Sequence, residues 1–396
     1  MPLVNKIPPI VEELSDFQVD ADRGFLPSKD PLRALSEDFM VWEEMGQQLP
    51  KLLVSGKIRS ILGRLPVPDM DALKTDAEFE RAMLLLSYFG HGYVWGEPKP
   101  PDHIPSNIAV PWYRVAKRLG RPPVLSYASY ALNNWRRIDP EGPVSLGNIV
   151  LLQNFLGGID EEWFILVHVA IESKAAQALR AAVNAQNAVL NDLPRQLDQH
   201  LVVLAAGVEK MYKILLRMPE HCDPFIYFHR VRPYIHGWKD HPALQDGMIY
   251  EGVREYEGRP QKFRGETGAQ SAIIPSMDAA LGIQHADDPL RPYLMEMRNY
   301  MPPRQKTFIE AVEKGPSIRR YVQENLKNHP SLRKSYNECV GWVERFRSKH
   351  LEYAALYVQK QSIRSPYNPT ERGTGGTPFL PYLKKHRDET SKHLLE

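Results

Sequence analysis

The fold of this chain is decided by EEWFILVHVAIESKAAQALRAAVNAQNAVL, residues 161–190. The stretch is rich in alanine and other strong helix formers, so it predicts one long α-helix. Its first part, WFILVHVAIE at 163–172, is apolar on almost every side, and such a helix must be buried nearly all round. His168 lies in this run, where a histidine is usually a core residue whose ring nitrogens are satisfied by hydrogen bonds.

Helical patterns continue toward the C-terminal end in LDQHLVVLAAGVEKMYKILLRM (197–218), PPRQKTFIEAVEKGPSIRRYV (302–322) and SLRKSYNECVGWVERFRSKHLEYAALYVQKQ (331–361). We therefore predict a mainly α protein with a large all-helical C-terminal domain at 152–396. A smaller N-terminal domain, 1–151, is expected to be mostly helical. Prolines interrupt its helical signal, and a few short strands are expected near NIAV (107–110) or VLSY (124–127).

Two helices are predicted in the N-terminal part. The first follows Ser36, a candidate N-cap, and carries apolar residues at three- and four-residue spacing. The second occupies the stretch from residue 69 onward and is expected to end near Gly90 and Gly92, because glycine weakens a helix.

The composition describes an ordinary soluble protein. The 396 residues are 43% hydrophobic and 25% charged, with a formal net charge of +2, so no electrostatic footprint suggests a nucleic acid. Cys222 and Cys339 are the only cysteines, which excludes a disulfide framework and a cysteine zinc site and fits a reducing cytoplasm. The opening segment lacks the apolar core of a secretory signal, and no apolar run is long enough to cross a membrane. We expect a cytoplasmic monomer.

The segment ERFRSKHLEYAALYVQ, residues 344–359, places His350 on the apolar face of a helix. One interpretation is a core histidine with its nitrogens hydrogen-bonded. The other is an axial ligand to a haem iron, with Arg347 facing a haem propionate. Periodicity alone does not choose between them.

Three further motifs contain residue types that can carry chemistry. In YFHRVRPYIHGW (227–238), Arg232 could clamp a carboxylate, but the pattern favours a surface arginine lying over aromatic rings. HGWKDH (236–241) has histidines at metal-ligand spacing, although a solvated turn is favoured. GTGGT (373–377) is expected to be a flexible loop or a lid with glycine hinges.

Several stretches in order along the chain together resemble the indoleamine 2,3-dioxygenase family. They are SNIAVPWYRVAKRLGRPPVLSYASYALNNW (106–135), IHGWKDHPALQDGMIYEGV (235–253), GETGAQSAIIPSMDAALGIQ (265–284), MRNYMPPRQKTF (297–308), FRSKHLEYAALYV (346–358) and GTGGTPF (373–379). Each is weak alone, and six in the family's order are strong evidence.

The resemblance implies an enzyme that uses ferrous haem b and O2 in the kynurenine pathway of tryptophan catabolism. It would insert both oxygen atoms across the indole C2–C3 bond of L-tryptophan to give N-formylkynurenine. A cellular reductant would keep the iron ferrous, and the small domain would cover the substrate pocket. The alternatives are a dioxygenase for another indole derivative, a non-catalytic haem-binding sensor, and a helical interaction protein without a cofactor.

The resemblance also implies roles for individual residues. His350 matches the iron ligand, with Arg347 beside a propionate and Asp278 as the carboxylate partner of that arginine. Arg232 matches the residue that binds the substrate carboxylate. Other predicted substrate contacts are Tyr127, Tyr130, Ala131, Phe164, Tyr227, Phe228, Gly268 and Thr374.

This chain departs from the family pattern at four of the matched positions. His168 stands where vertebrate members have a small hydroxyl residue, and we expect it to contact the indole N–H in the catalytic site. Tyr227 replaces a phenylalanine and adds a hydroxyl to the pocket. His236 replaces a small residue and receives no role. Glu266 replaces a glycine, so the 262–270 loop is expected to differ in shape.

Overall fold

The computed structural model describes residues 11–288, 290–361, 368 and 371–396. Within them the protein is mainly α, as predicted. The helices are α1 (Met40–Ser55), α2 (Ile58–Leu62), α3 (Asp76–Trp95), α4 (Ser106–Leu119), α5 (Ile159–Leu190), α6 (Pro194–Leu215), α7 (Pro224–Ile226), α8 (Ile273–Leu281), α9 (Leu290–Met297), α10 (Pro303–Lys314), α11 (Ile318–Asn325), α12 (Ser331–Tyr357) and α13 (Phe379–Ser391).

Short two-residue strands form two small ribbons. Strands β1 (His103–Ile104) and β4 (Ile249–Tyr250) pair in parallel, with His103 opposite Ile249. Strands β2 (Arg136–Arg137) and β3 (Ile149–Val150) pair antiparallel, with Arg136 opposite Val150. Neither NIAV nor VLSY is itself a strand, although β1 ends just before NIAV. NIAV lies inside α4, because its apolar residues continue into a buried helical face with Trp112 and Val115, and VLSY leads into a helical turn.

The N-terminal helices differ in detail from the prediction. Ser36 precedes a short 3-10 turn and its side chain makes no cap hydrogen bond. Helix α3 begins instead at a capping box between Thr75 and Glu78, and it runs through both glycines to Trp95. Gly90 serves packing, because a Cβ there would lie 2.1 Å from the Trp112 ring. A glycine that admits a neighbouring ring can thus lie inside a helix.

Helix α5 is shared by two apolar cores. Ile165, Leu166 and Val169 pack into a core built largely from residues 26–155 and 235–253. Val167 and Ile171 pack into a second core formed with α6, α8, α10, α11 and α12. This double burial explains why the sequence around His168 is apolar on nearly every side.

Two turns have π-helical hydrogen bonding, Ala128–Leu132 and Tyr227–Val231. Such turns redirect side chains locally and are frequent at functional sites. Both contain residues that the sequence analysis assigns to substrate binding.

Cys222 and Cys339 are buried and free. No helix in the described part of the chain combines the length and apolarity needed to cross a bilayer.

Candidate functional site

The imidazole of His350 projects from α12 into interior space. The ring is exposed, although Val343 and Cys339 on the same stripe are fully buried. Burial among protein atoms still lowers the pKa of His350 to about 4, and nearby His168 adds to that effect. The exposed surface therefore faces the space between α12 and α5. No described residue hydrogen-bonds the ring, so His350 is a neutral imidazole with an available lone pair.

His168 on α5 faces the same space with a defined tautomer. Its Nδ1 lies 2.7 Å from the Phe164 carbonyl oxygen, which can only accept a hydrogen bond. Nδ1 therefore carries the proton, and burial lowers the pKa of the ring so that it is neutral at pH 7. The lone pair on Nε2 is left to accept a hydrogen bond, and no described residue donates to it.

Four rings from α5 and the two π turns form one aromatic wall, made of Tyr127, Tyr130, Phe164 and Tyr227. The Phe164 ring is central, with its centroid 4.6 Å from that of Tyr227 and 6.4 Å from that of Tyr130. The His168 ring lies 4.8 Å from Phe164 and 6.0 Å from Tyr127, centroid to centroid. The wall thus brings together residues far apart in sequence beside the two histidines.

The edges of the wall are polar. Tyr127 donates a 2.9 Å hydrogen bond to Glu172, and the Tyr130 hydroxyl is buried with no partner among the described residues. Ala131, beside Tyr130, is buried as well.

Arg232 is almost completely buried, at 1% exposure, so the sequence preference for a surface arginine is wrong. Its guanidinium carbon lies 5.5 Å from the centre of the Phe228 ring. It donates to the side chain of Asn368 and to the Arg372 carbonyl. Desolvation lowers the pKa of Arg232 to about 10, which leaves it charged, and no described carboxylate pairs with it. A buried cation without an anion suits a carboxylate ligand.

The GTGGT loop and the 265–270 loop are tied together. Thr374 donates its hydroxyl to the Glu266 carbonyl, and the Gly375 carbonyl accepts a 2.6 Å bond from Arg264. Gln270 accepts from the Tyr127 N–H at 2.9 Å and donates to the Gly265 carbonyl at 2.9 Å. Gly268 lies in the same loop and is exposed. The two loops therefore border the end of the aromatic wall.

Arg347 forms a buried bidentate ion pair with Asp278 on α8, with N–O distances of 3.0 and 2.6 Å. His285 adds a second contact to the same carboxylate at 3.2 Å. Burial alone would raise the pKa of Asp278, but Arg347 and His285 outweigh it and hold the pKa at about 2.

We expect Arg347→Ala to lower the free energy of unfolding by about 3–5 kcal/mol, because the buried Asp278 carboxylate loses its guanidinium partner and keeps only the contact with His285. The ordinary pKa of Asp278 is 3.8 and its folded value is about 2, so the pair stabilises the fold above pH 4. That contribution is lost as the pH falls toward 2. Urea unfolding at pH 7 and pH 2.5 measures both effects.

The control is Arg345→Ala, an exposed arginine on the same helix that stacks on Trp342. It should change the free energy of unfolding by less than about 1 kcal/mol. A similar loss of the free energy of unfolding in both variants would show that the Arg347–Asp278 ion pair stabilises the fold no more than an exposed arginine does.

The HGWKDH segment is not a solvated turn. His236 and His241 are 1% and 4% exposed, and their ring centroids are 5.2 Å apart. His236 Nε2 lies 3.1 Å from the Asn368 side-chain oxygen, the same atom that Arg232 contacts. No group of three metal-ligand side chains occurs in the part of the chain described, and His236 instead supports the Arg232 region.

Sequence reasoning missed Glu172, which lies one turn after His168 on α5. Burial raises its pKa to about 7, opposed by hydrogen bonds from Ser271 and Tyr127. The sequence signal for Glu172 is a carboxylate four residues after His168 on the buried face of an apolar helix, where an acidic side chain is unusual. Asn368 and Gln270 gave no such signal, since their partners are remote in sequence.

The arrangement combines an aromatic wall with polar edges, a buried arginine and two neutral histidines that lie near each other. The aromatic wall can hold a flat ring, Arg232 can hold a carboxylate, and His350 can hold a metal cofactor through one nitrogen.

Comparison with known proteins agrees with this chemistry. A family model described as Indoleamine 2,3-dioxygenase matches residues 13–393. The chain is 36% identical to the Indoleamine 2,3-dioxygenase 1 of Rattus norvegicus, with 96% of both chains covered. It is 33% identical to the Indoleamine 2,3-dioxygenase 2 of Homo sapiens, covering 96% of this chain and 95% of the relative. It is 31% identical to the Indoleamine 2,3-dioxygenase of Saccharomyces cerevisiae, with 95% and 92% covered.

Proposed function

Because this chain belongs to the indoleamine 2,3-dioxygenase family, a family of haem-dependent oxidoreductases, we propose that its substrate is L-tryptophan. The reaction inserts both atoms of O2 across the indole C2–C3 bond and gives N-formylkynurenine. The observation that carries the proposal is the neutral imidazole of His350, which lies near His168 and has no hydrogen-bond partner among the described residues.

The residues between α5 and α12 fit a haem. His350 offers a neutral imidazole nitrogen that no described protein group uses and that would hold the haem iron. Arg347 lies one turn before it on α12 and would face a propionate, with Asp278 holding the arginine in place. When bound, ferrous haem b would supply the redox chemistry that activates O2, and a cellular reductant would maintain the iron.

The pocket residues bind and orient the substrate. Arg232 takes the carboxylate, and the aromatic wall fixes the plane of the indole. The GTGGT loop, through Thr374, closes the amino acid end together with Gly268. Such positioning can lower the barrier by several kcal/mol, as a rough estimate, and it excludes water from the reacting ring. We also propose that residues 1–151, which contribute Tyr127, Tyr130 and Ala131, form a small domain over the haem-binding part at 152–396.

His168 accepts a hydrogen bond from the indole N–H through Nε2. Its Nδ1 is already committed to the Phe164 carbonyl, so the neutral ring presents an acceptor on its free side. The indole N–H is very weakly acidic, which makes a hydrogen bond the appropriate role rather than proton removal.

We expect His168→Ser to weaken L-tryptophan binding by roughly threefold to tenfold while turnover persists, because one neutral hydrogen bond is lost. Binding titrations of the haem-loaded protein and steady-state kinetics measure this. The matched ligand is 1-methyltryptophan, which has no indole N–H and whose affinity should therefore not fall. Abolished turnover with intact haem and substrate binding would instead indicate proton transfer by His168.

Product analysis tests the function itself. Ferrous protein incubated aerobically with L-tryptophan should form N-formylkynurenine, identified by its mass and absorption. Haem-loaded protein that consumes no O2 in the presence of L-tryptophan would contradict the proposal.

A further inference from the structure

Glu266 carries a buried carboxyl group that has no partner in the part of the chain that the structure describes. The residue is 4% exposed, and no hydrogen bond or ion pair to its side chain occurs among the described residues. Its backbone is fixed on both sides. The N–H donates to the Ile235 carbonyl at 3.1 Å, and the carbonyl accepts from Thr374. Ionising a carboxyl held this firmly in the interior costs free energy unless a cation binds it.

The local packing prevents the 265–270 loop from moving the carboxylate away. The backbones of Gly237 and Gly265 touch, since a Cβ on Gly265 would lie 2.2 Å from the Gly237 nitrogen. Gln270 joins the Gly265 carbonyl to the Tyr127 N–H through two 2.9 Å hydrogen bonds. Glu266 is thus anchored beside the aromatic wall.

The Glu266 carboxyl lies near the tyrosines of the aromatic wall. Its negative charge contributes to the raised pKa of Tyr88, Tyr127, Tyr130 and Tyr227, for which burial is the larger cause. These tyrosines come from α3 and from both π turns or their edges. The Glu266 carboxyl therefore lies within electrostatic reach of all four hydroxyls.

Arg232 and Glu266 are held at opposite ends of one short segment. The Arg372 carbonyl accepts from Arg232 at 2.5 Å, and Thr374 contacts the Glu266 carbonyl. Two residues of extended chain span roughly 7 Å. The two side chains nevertheless form no ion pair with each other. Arg232 has no described carboxylate partner and Glu266 has no described cationic partner, yet both residues are bound to the same 372–374 segment. A buried guanidinium and a buried carboxyl placed in this way match the head group of an α-amino acid.

We propose that Glu266 binds the α-ammonium of the substrate while Arg232 binds its carboxylate, so that the pocket selects zwitterionic indole amino acids. The inference rests on the proposed function and specifies its substrate class. Without a ligand, burial raises the pKa of the Glu266 carboxyl to about 8. A bound ammonium group would lower this pKa and so favour the ionised carboxylate.

The test compares L-tryptophan with indole-3-propionate, which keeps the ring and carboxylate but lacks the ammonium. Calorimetric binding to haem-loaded wild type and Glu266→Gln is measured for both ligands. We expect Glu266→Gln to weaken L-tryptophan binding by roughly tenfold or more, since a charge-assisted hydrogen bond is lost. Binding of indole-3-propionate should be unchanged or tighter. Glu266→Asp should recover part of the affinity for L-tryptophan.

The control variant is Glu257→Gln, an exposed carboxylate earlier in the same region, which should leave both affinities unchanged. Equal weakening of both ligands by Glu266→Gln, or no weakening of either, would overturn the role of Glu266. Failure of the wild-type, haem-loaded protein to bind any indole amino acid would overturn the proposed function instead.

Discussion

Replacing His350 by alanine is expected to yield folded protein that holds no normally ligated haem and whose dioxygenase activity falls to background. The imidazole is neutral because burial lowers its pKa to about 4, and no described residue competes for its nitrogen. Alanine offers no ligand, and the neighbouring side chains on α12 cannot reach the same point. Haem content and the Soret spectrum after reconstitution measure the loss.

Two further variants distinguish the loss of the iron ligand from non-specific binding of haem. His350→Gly supplied with free imidazole should regain the normal spectrum and part of the activity, because the added ring replaces the missing ligand. His329→Ala, just before α12, should behave as wild type, since His329 makes no side-chain contact with the site. Normal haem ligation and turnover in His350→Ala would refute the assignment of His350 as iron ligand.

Arg232→Ala is expected to raise the KM for L-tryptophan by roughly a hundredfold while haem binding survives. The guanidinium is 1% exposed and lacks a described carboxylate partner, so the substrate carboxylate would be its counter-ion. Truncating one member of a buried charge pair costs several kcal/mol, as a rough estimate, because the other charge remains desolvated. Steady-state kinetics together with the Soret absorbance separate the two properties.

Arg232→Lys keeps the charge but loses the planar fork, so an intermediate KM is expected. Arg230→Ala is the matched control, because Arg230 is exposed on the same π turn. An unchanged KM in Arg232→Ala would show that Arg232 does not bind the substrate carboxylate.

Elements with a strong local sequence pattern are easier to predict than features that depend on contacts remote in sequence. Helix α5 was predicted nearly to its ends because helix propensity and all-round apolarity agree along its whole length. The strands were misplaced because two residues are too short for a period-2 pattern. The predicted stop at Gly90 failed because the contact with Trp112, which is remote in sequence, decides the role of that glycine.

The sequence proposes which residues form the candidate site, but it does not give their burial or their hydrogen-bond partners. His350 is exposed and has no hydrogen-bond partner among the described residues, which disfavours the interpretation of a satisfied core histidine, and only tertiary packing reveals this. Arg232 and the pair His236 and His241 were expected at the surface because burial cannot be read from a polar, aromatic-rich segment. The departure from the family pattern at Glu266 is visible in the sequence. Its lack of a hydrogen-bond or ion-pair partner among the described residues depends on the fold around it.

The most direct test of the central claim is the fate of O2 in a single reaction. Ferrous, haem-loaded protein would be mixed with L-tryptophan and O2 labelled in both atoms, and the product analysed by mass spectrometry. A haem dioxygenase acting on the indole C2–C3 bond predicts N-formylkynurenine carrying two labelled oxygen atoms, with one O2 consumed per tryptophan. Product with a single labelled oxygen atom, or no product from protein with a normal haem spectrum, would contradict the account.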